Sequence, residues 1–171
     1  MSEQGELINQ LGELYHQVDM QSEALENKLG NILNCKQGCH ECCIDELSVF
    51  EIEAVNIKNH YQDFLINESP ADKGGCAFLD VAGACRIYDH RPYVCRTQGL
   101  PLRWMDYDQN DELVEMRDIC PLNDKEETIL DLPEDYFWTI GSYEEQLAKL
   151  QLQLDGGTFN RVALRSLFVE D

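Results

Sequence analysis

The chain has 171 residues with 43% apolar and 27% charged residues, a globular composition with enough length for one core of ordinary size. Its formal net charge of −20 opposes non-specific contact with a phosphate backbone or an anionic bilayer, so no nucleic-acid or membrane partner is expected. No apolar run approaches the roughly 20 residues of a membrane-spanning helix. The opening MSEQGELINQ lacks the basic stretch and apolar run of a secretory signal, so a cytoplasmic protein is expected.

Residues 6–33 read as one long helix. Leu7, Leu11, Leu14, Val18, Leu25, Leu29 and Ile32 recur at spacings of four and three, with Ser22 breaking the stripe. Such a stripe packs on the rest of the domain, or forms the seam of a homodimer or a contact with another protein. The run CKQGCHECC follows at 35–43. Ser48-Val49-Phe50-Glu51 has the form of a capping box, which predicts a second helix from about 49 to 66. NESPADKGG, at 67–75, breaks it.

Residues 76–120 carry the remaining cysteines in short, irregular pieces. Phe78-Leu79 and Arg86-Ile87-Tyr88 flank a turn at 81–84, which predicts a small hairpin. Leu102–Tyr107 and Glu112–Ile119 flank DQND and predict another. Ser142-Tyr143-Glu144-Glu145 reads as a second capping box, opening a helix that ends at Gly156-Gly157. The tail TFNRVALRSLFVED predicts a last short helix. Trp104 and Trp138 read as core residues. The expected fold is a single helix-rich α+β domain over 1–171: a long helix at 6–33, a cysteine region at 35–122, and C-terminal helices at 134–171 around an irregular, metal-organised centre.

Eight cysteines are many for a cytoplasmic chain. A reducing compartment argues against disulfides and favours metal or catalytic roles. The spacing is Cys35-x3-Cys39-x2-Cys42-Cys43, then Cys76-x8-Cys85-x9-Cys95, then Cys120. Steps of three and four on a helical turn bring side chains to one face, about 5–6 Å apart at Cβ. A short hairpin between Cys76 and Cys85 brings two more thiolates together. Adjacent Cys42 and Cys43 diverge by about 100° in a helix and point oppositely in a strand. One four-thiolate site with spare thiols and two sites of four are both open on this arithmetic. Four thiolates suit tetrahedral zinc and also iron–sulfur clusters. The second half lacks the closely spaced cysteine pair of a zinc ribbon, which favours iron–sulfur.

Arg86, Arg91, Arg96 and Arg103 face only Asp89 in the same stretch, a local +3 around Cys85 and Cys95. Cations there offset thiolate charge. Arg91 and Arg96 are the candidates to grip an anionic substrate or partner. His40, between two cysteines, is a candidate ligand or a donor to one.

These blocks resemble a known family. The cluster at 35–43, Cys76-Ala77-Phe78-Leu79-Asp80, Cys85-Arg86-Ile87-Tyr88 and Arg91-Pro92-Tyr93-Val94-Cys95-Arg96 look like the YkgJ-type CxxCxxCC cysteine-cluster proteins, described as zinc- or iron-chelating and often called Fe–S oxidoreductase-like. Ala77 replaces the family's usual proline. The resemblance spans roughly 35–122 and implies a metal centre held by cysteines, here Cys35, Cys39, Cys42, Cys43, Cys76, Cys85, Cys95 and Cys120, with iron–sulfur or zinc as cofactor. It implies no settled reaction. A related cysteine domain occurs in flagellin lysine methylases, which makes a protein-modifying enzyme one alternative; a structural zinc module that mediates protein contacts is another.

Two other patterns fail on their details. Cys35-x3-Cys39-x2-Cys42 matches the spacing of radical S-adenosylmethionine enzymes, but a helix precedes it and the chain is too short for their barrel. Asp106-x-Asp108-x-Asn110 starts like a calcium loop, but Asp111 stands where Gly belongs and Arg117 where Glu belongs.

Overall fold

The structure, a computed structural model, describes residues 2–35, 38–123 and 128–168. It is helix-rich α+β, as expected from the sequence. Helix α1 runs over Glu3–Leu29, and Ser2 caps it by accepting the Gly5 N–H at 3.2 Å. A 3-10 turn at Gly30–Ile32 carries the chain to the first cysteines.

The stripe on α1 lies inside the molecule. Leu7, Leu11, Leu14, Val18 and Leu29 are buried, and so is Ser22, whose hydroxyl donates to the Asp19 carbonyl at 3.1 Å. That local bond lets a polar residue sit in the stripe without a stranded donor. Helix α5, Ser142–Asp155, covers the stripe with Tyr143, Leu147 and Leu150, alongside Ile52 and Trp138. The apolar face that a dimer seam would need is thus taken up by the chain itself.

A second apolar cluster forms on the other side of helix α2, Glu51–Asn67. Val49, Ala54, Ile57 and Leu65 meet Phe78, Ile87, Leu164 and Phe168 there. Full burial of each large apolar side chain contributes about 1.5–3 kcal/mol, so the two clusters grip α2 from both flanks. Gln151 of α5 is fully buried and accepts the Ile52 N–H at 2.9 Å, satisfying an orphan donor in the first turn of α2.

Both capping boxes are displaced from the sequence reading. Ser48 lies in strand β1, Ser48–Phe50, which pairs antiparallel with β5, Arg161–Ala163. The carboxylate that serves the start of α2 is Glu53, which accepts the Phe50 N–H at 3.2 Å. At α5, Ser142 is the first helical residue, and Glu144 accepts the Gly141 N–H at 2.7 Å. The tail forms β5 and a 3-10 turn at Leu164–Leu167 in place of an α-helix; residues 169–171 of that stretch lie outside the described residues. Ladder pairing with β1 outweighs the helical pattern there.

Helix α3, Tyr93–Arg96, is a single turn set by Pro92 at its N-cap. Strands β2, Leu102–Tyr107, and β3, Leu113–Asp118, form the expected hairpin. The Asp108 carboxylate accepts the Asn110 and Glu112 N–H groups at its turn, so the DQND stretch is a hairpin turn. A short helix α4, Thr128–Asp131, and strand β4, Trp138–Thr139, follow; β4 pairs parallel with β2. Trp138 is buried, but Trp104 is half-buried on the hairpin and does not join the core. The expected first hairpin is reduced to one bridge, Leu79 to Cys85, around a tight turn in which Asp80 accepts the Ala82 and Ala84 N–H groups. Among the described residues no helix is long and apolar enough to cross a membrane.

Candidate metal centre

All eight cysteines are among the described residues, and all are free thiols. Lys36 and Gln37, within the first cluster, lie outside the described residues. Cys35 is exposed and the other seven are half-buried. Each arrives from a distinct local structure. Cys35 follows the 3-10 turn that ends α1. Cys39 precedes, and Cys42 and Cys43 lie on, a turn closed by the Cys43 N–H donating to the His40 carbonyl at 2.9 Å. Cys76 opens the turn closed by the Leu79 N–H, Cys85 sits on the bridge to Leu79, Cys95 lies within α3, and Cys120 follows β3.

Two sets of hydrogen bonds join cysteine-bearing segments that are distant in the chain. The Cys76 N–H donates to the Cys43 carbonyl at 2.9 Å, joining the first cluster to the 76–85 loop. On the other side, Asn123 connects Cys35 to Cys120. Its Nδ2 donates to Cys35 Sγ at 3.3 Å and to the Gly99 carbonyl at 2.8 Å. Its backbone N–H donates to the Cys120 carbonyl at 2.7 Å, and its Oδ1 accepts the Asn34 N–H at 2.7 Å. Asn123 is 1% exposed. Sequence reasoning missed it; its place three residues after Cys120 was the available signal.

The thiols also feel one another electrostatically. Burial pushes Cys35 up, a hydrogen bond from Asn123 acts the other way, and Cys39, Cys120 and Cys42 add repulsion. Burial pushes Cys95 up to about 12, with repulsion from Cys76 and Cys85 and, less, from Cys42. Burial raises Cys76 and Cys85 too, opposed in each case by a backbone N–H two residues on, from Phe78 and Ile87. Cys42 and Cys43 are hydrogen-bonded to each other. The Cys43 thiol holds Cys42 down to about 6, while that bond with Cys42 raises Cys43.

The donor types, eight free thiols, are those of a zinc or iron–sulfur site. Thiolate is the ligating form. Buried, mutually repelling thiols resist that form without a cation, while the N–H groups of Phe78, Ile87 and Asn123 are placed to support sulfur that carries charge. As placed, no three His, Cys, Asp or Glu side chains among the described residues stand close enough to hold one ion.

The surrounding residues are structural in their contacts. Arg96 is buried; it pairs with Asp19 of α1, donates to the Arg91 and Asp89 carbonyls at 3.0 and 3.1 Å, and lies over the Tyr15 ring. Arg91 donates to the Tyr88 carbonyl at 3.1 Å and reaches Asp19 at 3.7 Å. Glu53 is buried and accepts from Tyr15 Oη at 2.9 Å and the Tyr93 N–H at 2.8 Å, fixing the start of the helix that carries Cys95. His40 Nδ1 lies 2.9 Å from the Gly38 carbonyl. His60 stacks on His90 at 3.6 Å, and His16 is exposed. An open groove of about 430 Å³ between α1 and α5 is lined by Lys28, Trp138 and Tyr143 and by no cysteine.

Residues 34–121 match the family model CxxCxxCC, described as a "putative zinc- or iron-chelating domain". The match covers just over half of the 171 residues. The chain belongs to the CxxCxxCC family. No curated protein and no solved structure matches it. The CxxCxxCC segment starts next to Cys35 and ends one residue after Cys120, so it encloses all eight cysteines together with the turns that present them. Helix α5 and the β5 tail lie outside it.

Proposed function

We propose that this protein is a metal-binding protein that holds an iron–sulfur centre through its cysteines. The observation that supports this reading is the joining of cysteine-bearing segments from far apart in the chain: Cys35 to the Cys120 turn through Asn123, and the Cys43 turn to the Cys76 loop through a backbone bond. A family whose description is zinc- or iron-chelating supports the metal, and the layout of the second half supports iron–sulfur over a zinc ribbon. Cys76, Cys85 and Cys95 come one each from a turn, a bridge and a helix, with no closely spaced pair, and iron–sulfur sites accept such scattered ligands.

The chain's own residues then have defined tasks. Cys35, Cys39, Cys42, Cys43, Cys76, Cys85, Cys95 and Cys120 supply thiolates. The N–H groups of Phe78 and Ile87 and the amide of Asn123 stabilise charge on sulfur. Arg91 and Arg96 pair with Asp19 and so tie the turn that bears Cys95 to α1, and the Arg91 charge favours the Cys85 thiolate. An iron–sulfur centre held by these cysteines would supply reversible one-electron chemistry.

Protein purified without oxygen and assayed for iron, acid-labile sulfide and zinc tests this. Brown protein with broad visible absorption, iron and sulfide is expected. Colourless protein with stoichiometric zinc and neither iron nor sulfide would replace the redox reading with a structural zinc module.

A further inference from the structure

We propose that the outer edge of strand β3 is a docking site for an extended, basic segment of another protein, which adds to the β2–β3 hairpin as a further strand. This goes beyond metal binding and does not depend on it.

The open edge follows from the pairing. In the sheet order β3-β2-β4, β3 is a terminal strand, and among the described residues no strand pairs with its other side. The alternation of an antiparallel ladder fixes which groups are open. The Arg103 carbonyl accepts the Ile140 N–H at 2.9 Å, so Arg103 turns its backbone toward β4 and away from β3. Arg103 lies opposite Arg117. The two-residue period therefore turns the backbone N–H and C=O groups of Leu113, Glu115 and Arg117 outward. They run along a six-residue strand with no proline and no break in its register with β2. Proline, a bulge or a covering element is the usual protection of such an edge.

The side chains beside the edge select the occupant. Met105, Tyr107 and Leu113 are exposed on one face of the hairpin, and Met116 is exposed beside half-buried Trp104 on the other. Across 102–118, Asp106, Asp108, Asp111, Glu112, Glu115 and Asp118 stand against Arg103 and Arg117. Both arginines are already engaged, Arg103 by Glu115 and Glu134 and Arg117 by Glu115. On the Trp104 face the hairpin's only charges are Asp106 and Asp118. A second copy of this chain fits poorly, because two β3 edges would set acidic strand against acidic strand in a chain of net charge −20. A segment that alternates Lys or Arg with apolar residues meets each feature. Its backbone takes the open donors and acceptors, its apolar side chains cover Met116 or Leu113, and its cations reach the unpaired carboxylates.

The test titrates the full-length protein with a labelled peptide alternating Lys and Val, read by fluorescence anisotropy, with amide exchange read by NMR. Saturable binding is expected, with slowed exchange at Leu113, Glu115 and Arg117. A peptide alternating Lys and Pro has the same charge but cannot join a ladder, and it should bind about ten-fold more weakly. Glu115→Pro removes an outward N–H and leaves the β2 ladder whole, while Met116→Lys keeps the edge and adds an opposing charge. Each should weaken the Lys–Val peptide about ten-fold, with folding checked by circular dichroism. If Glu115→Pro does not fold, Met116→Lys and the wild-type exchange pattern decide. No saturable binding, equal binding of the Lys–Pro peptide, unchanged affinity in the folded variants, or protection elsewhere overturns the site. Protection of the same three amides on raising protein concentration without peptide makes a second copy the occupant and overturns the choice of partner.

Discussion

Asn123 donates from Nδ2 to Cys35 Sγ across 3.3 Å, while its backbone N–H holds the Cys120 carbonyl at 2.7 Å. One buried asparagine thus reaches two cysteines separated by most of the CxxCxxCC segment, one through its side chain and one through its backbone. Asn123→Ala should strand the buried Gly99 carbonyl and remove a donor from sulfur. A loss of about 1–3 kcal/mol of stability is expected, with metal affinity weakened about 10–100-fold. Thermal melts and chelator competition measure the two effects separately.

Gly99 has φ +91°, a backbone conformation that L side chains rarely adopt, and it approaches Cys35 closely. Gly99→Ala should cost about 1–2 kcal/mol for the backbone alone and should also push Cys35 away. A lower metal content is the expected result, read by elemental analysis. Unchanged metal content would show that the approach of Gly99 to Cys35 is not required.

Glu53 accepts from Tyr15, Tyr93 and Phe50 inside the protein, and burial raises its carboxyl despite those donors. Glu53→Ala leaves several buried donors unpaired, and a loss of about 3 kcal/mol or more is expected in urea unfolding. Because the Tyr93 N–H opens the helix bearing Cys95, that variant should also bind metal more weakly.

Asp155 gives the pH dependence. Partial burial raises its carboxyl, but hydrogen bonds from the Asn160 N–H, Gln151, the Gly157 N–H and Thr158 outweigh this and hold it well below the usual carboxylate range. A folded-state value below the unfolded one contributes stability that is present above about pH 4 and is lost as pH falls toward the folded value. The stability gap between wild type and Asp155→Asn should therefore be full at neutral pH and shrink steadily in acid. Urea midpoints across that range check it, and a gap that widened in acid would reverse the assigned sign.

Much of this organisation could be read from the residues. The α1 stripe, the DQND hairpin and the enclosure of eight cysteines by one segment all rest on periodicity or spacing, which local sequence carries. Ser48 and Ser142 misled because a capping box is a local pattern, and tertiary pairing decides it. Ser48 is claimed by the β1–β5 ladder, and Gly141 takes the cap position before Ser142. The β5 pairing joins residues more than a hundred positions apart, and no window of sequence holds that information. Trp104 read as core by residue type, but the hairpin carries it outward. Asn123 and Glu53 were illegible as site supports because their partners come from other segments. The Cys42–Cys43 doublet was legible as a puzzle; that Cys43 adjoins the Cys76 loop was not, because the bond joining them crosses more than thirty residues.

The most direct test of the central claim is X-ray absorption at the metal edge on protein purified without oxygen. Ligation by the cysteines predicts a sulfur-dominated shell at about 2.3 Å, diminished when Cys39, Cys43, Cys76 or Cys95 is changed to Ser. A shell of oxygen and nitrogen, or a sulfur shell unaltered in all four variants, would contradict it.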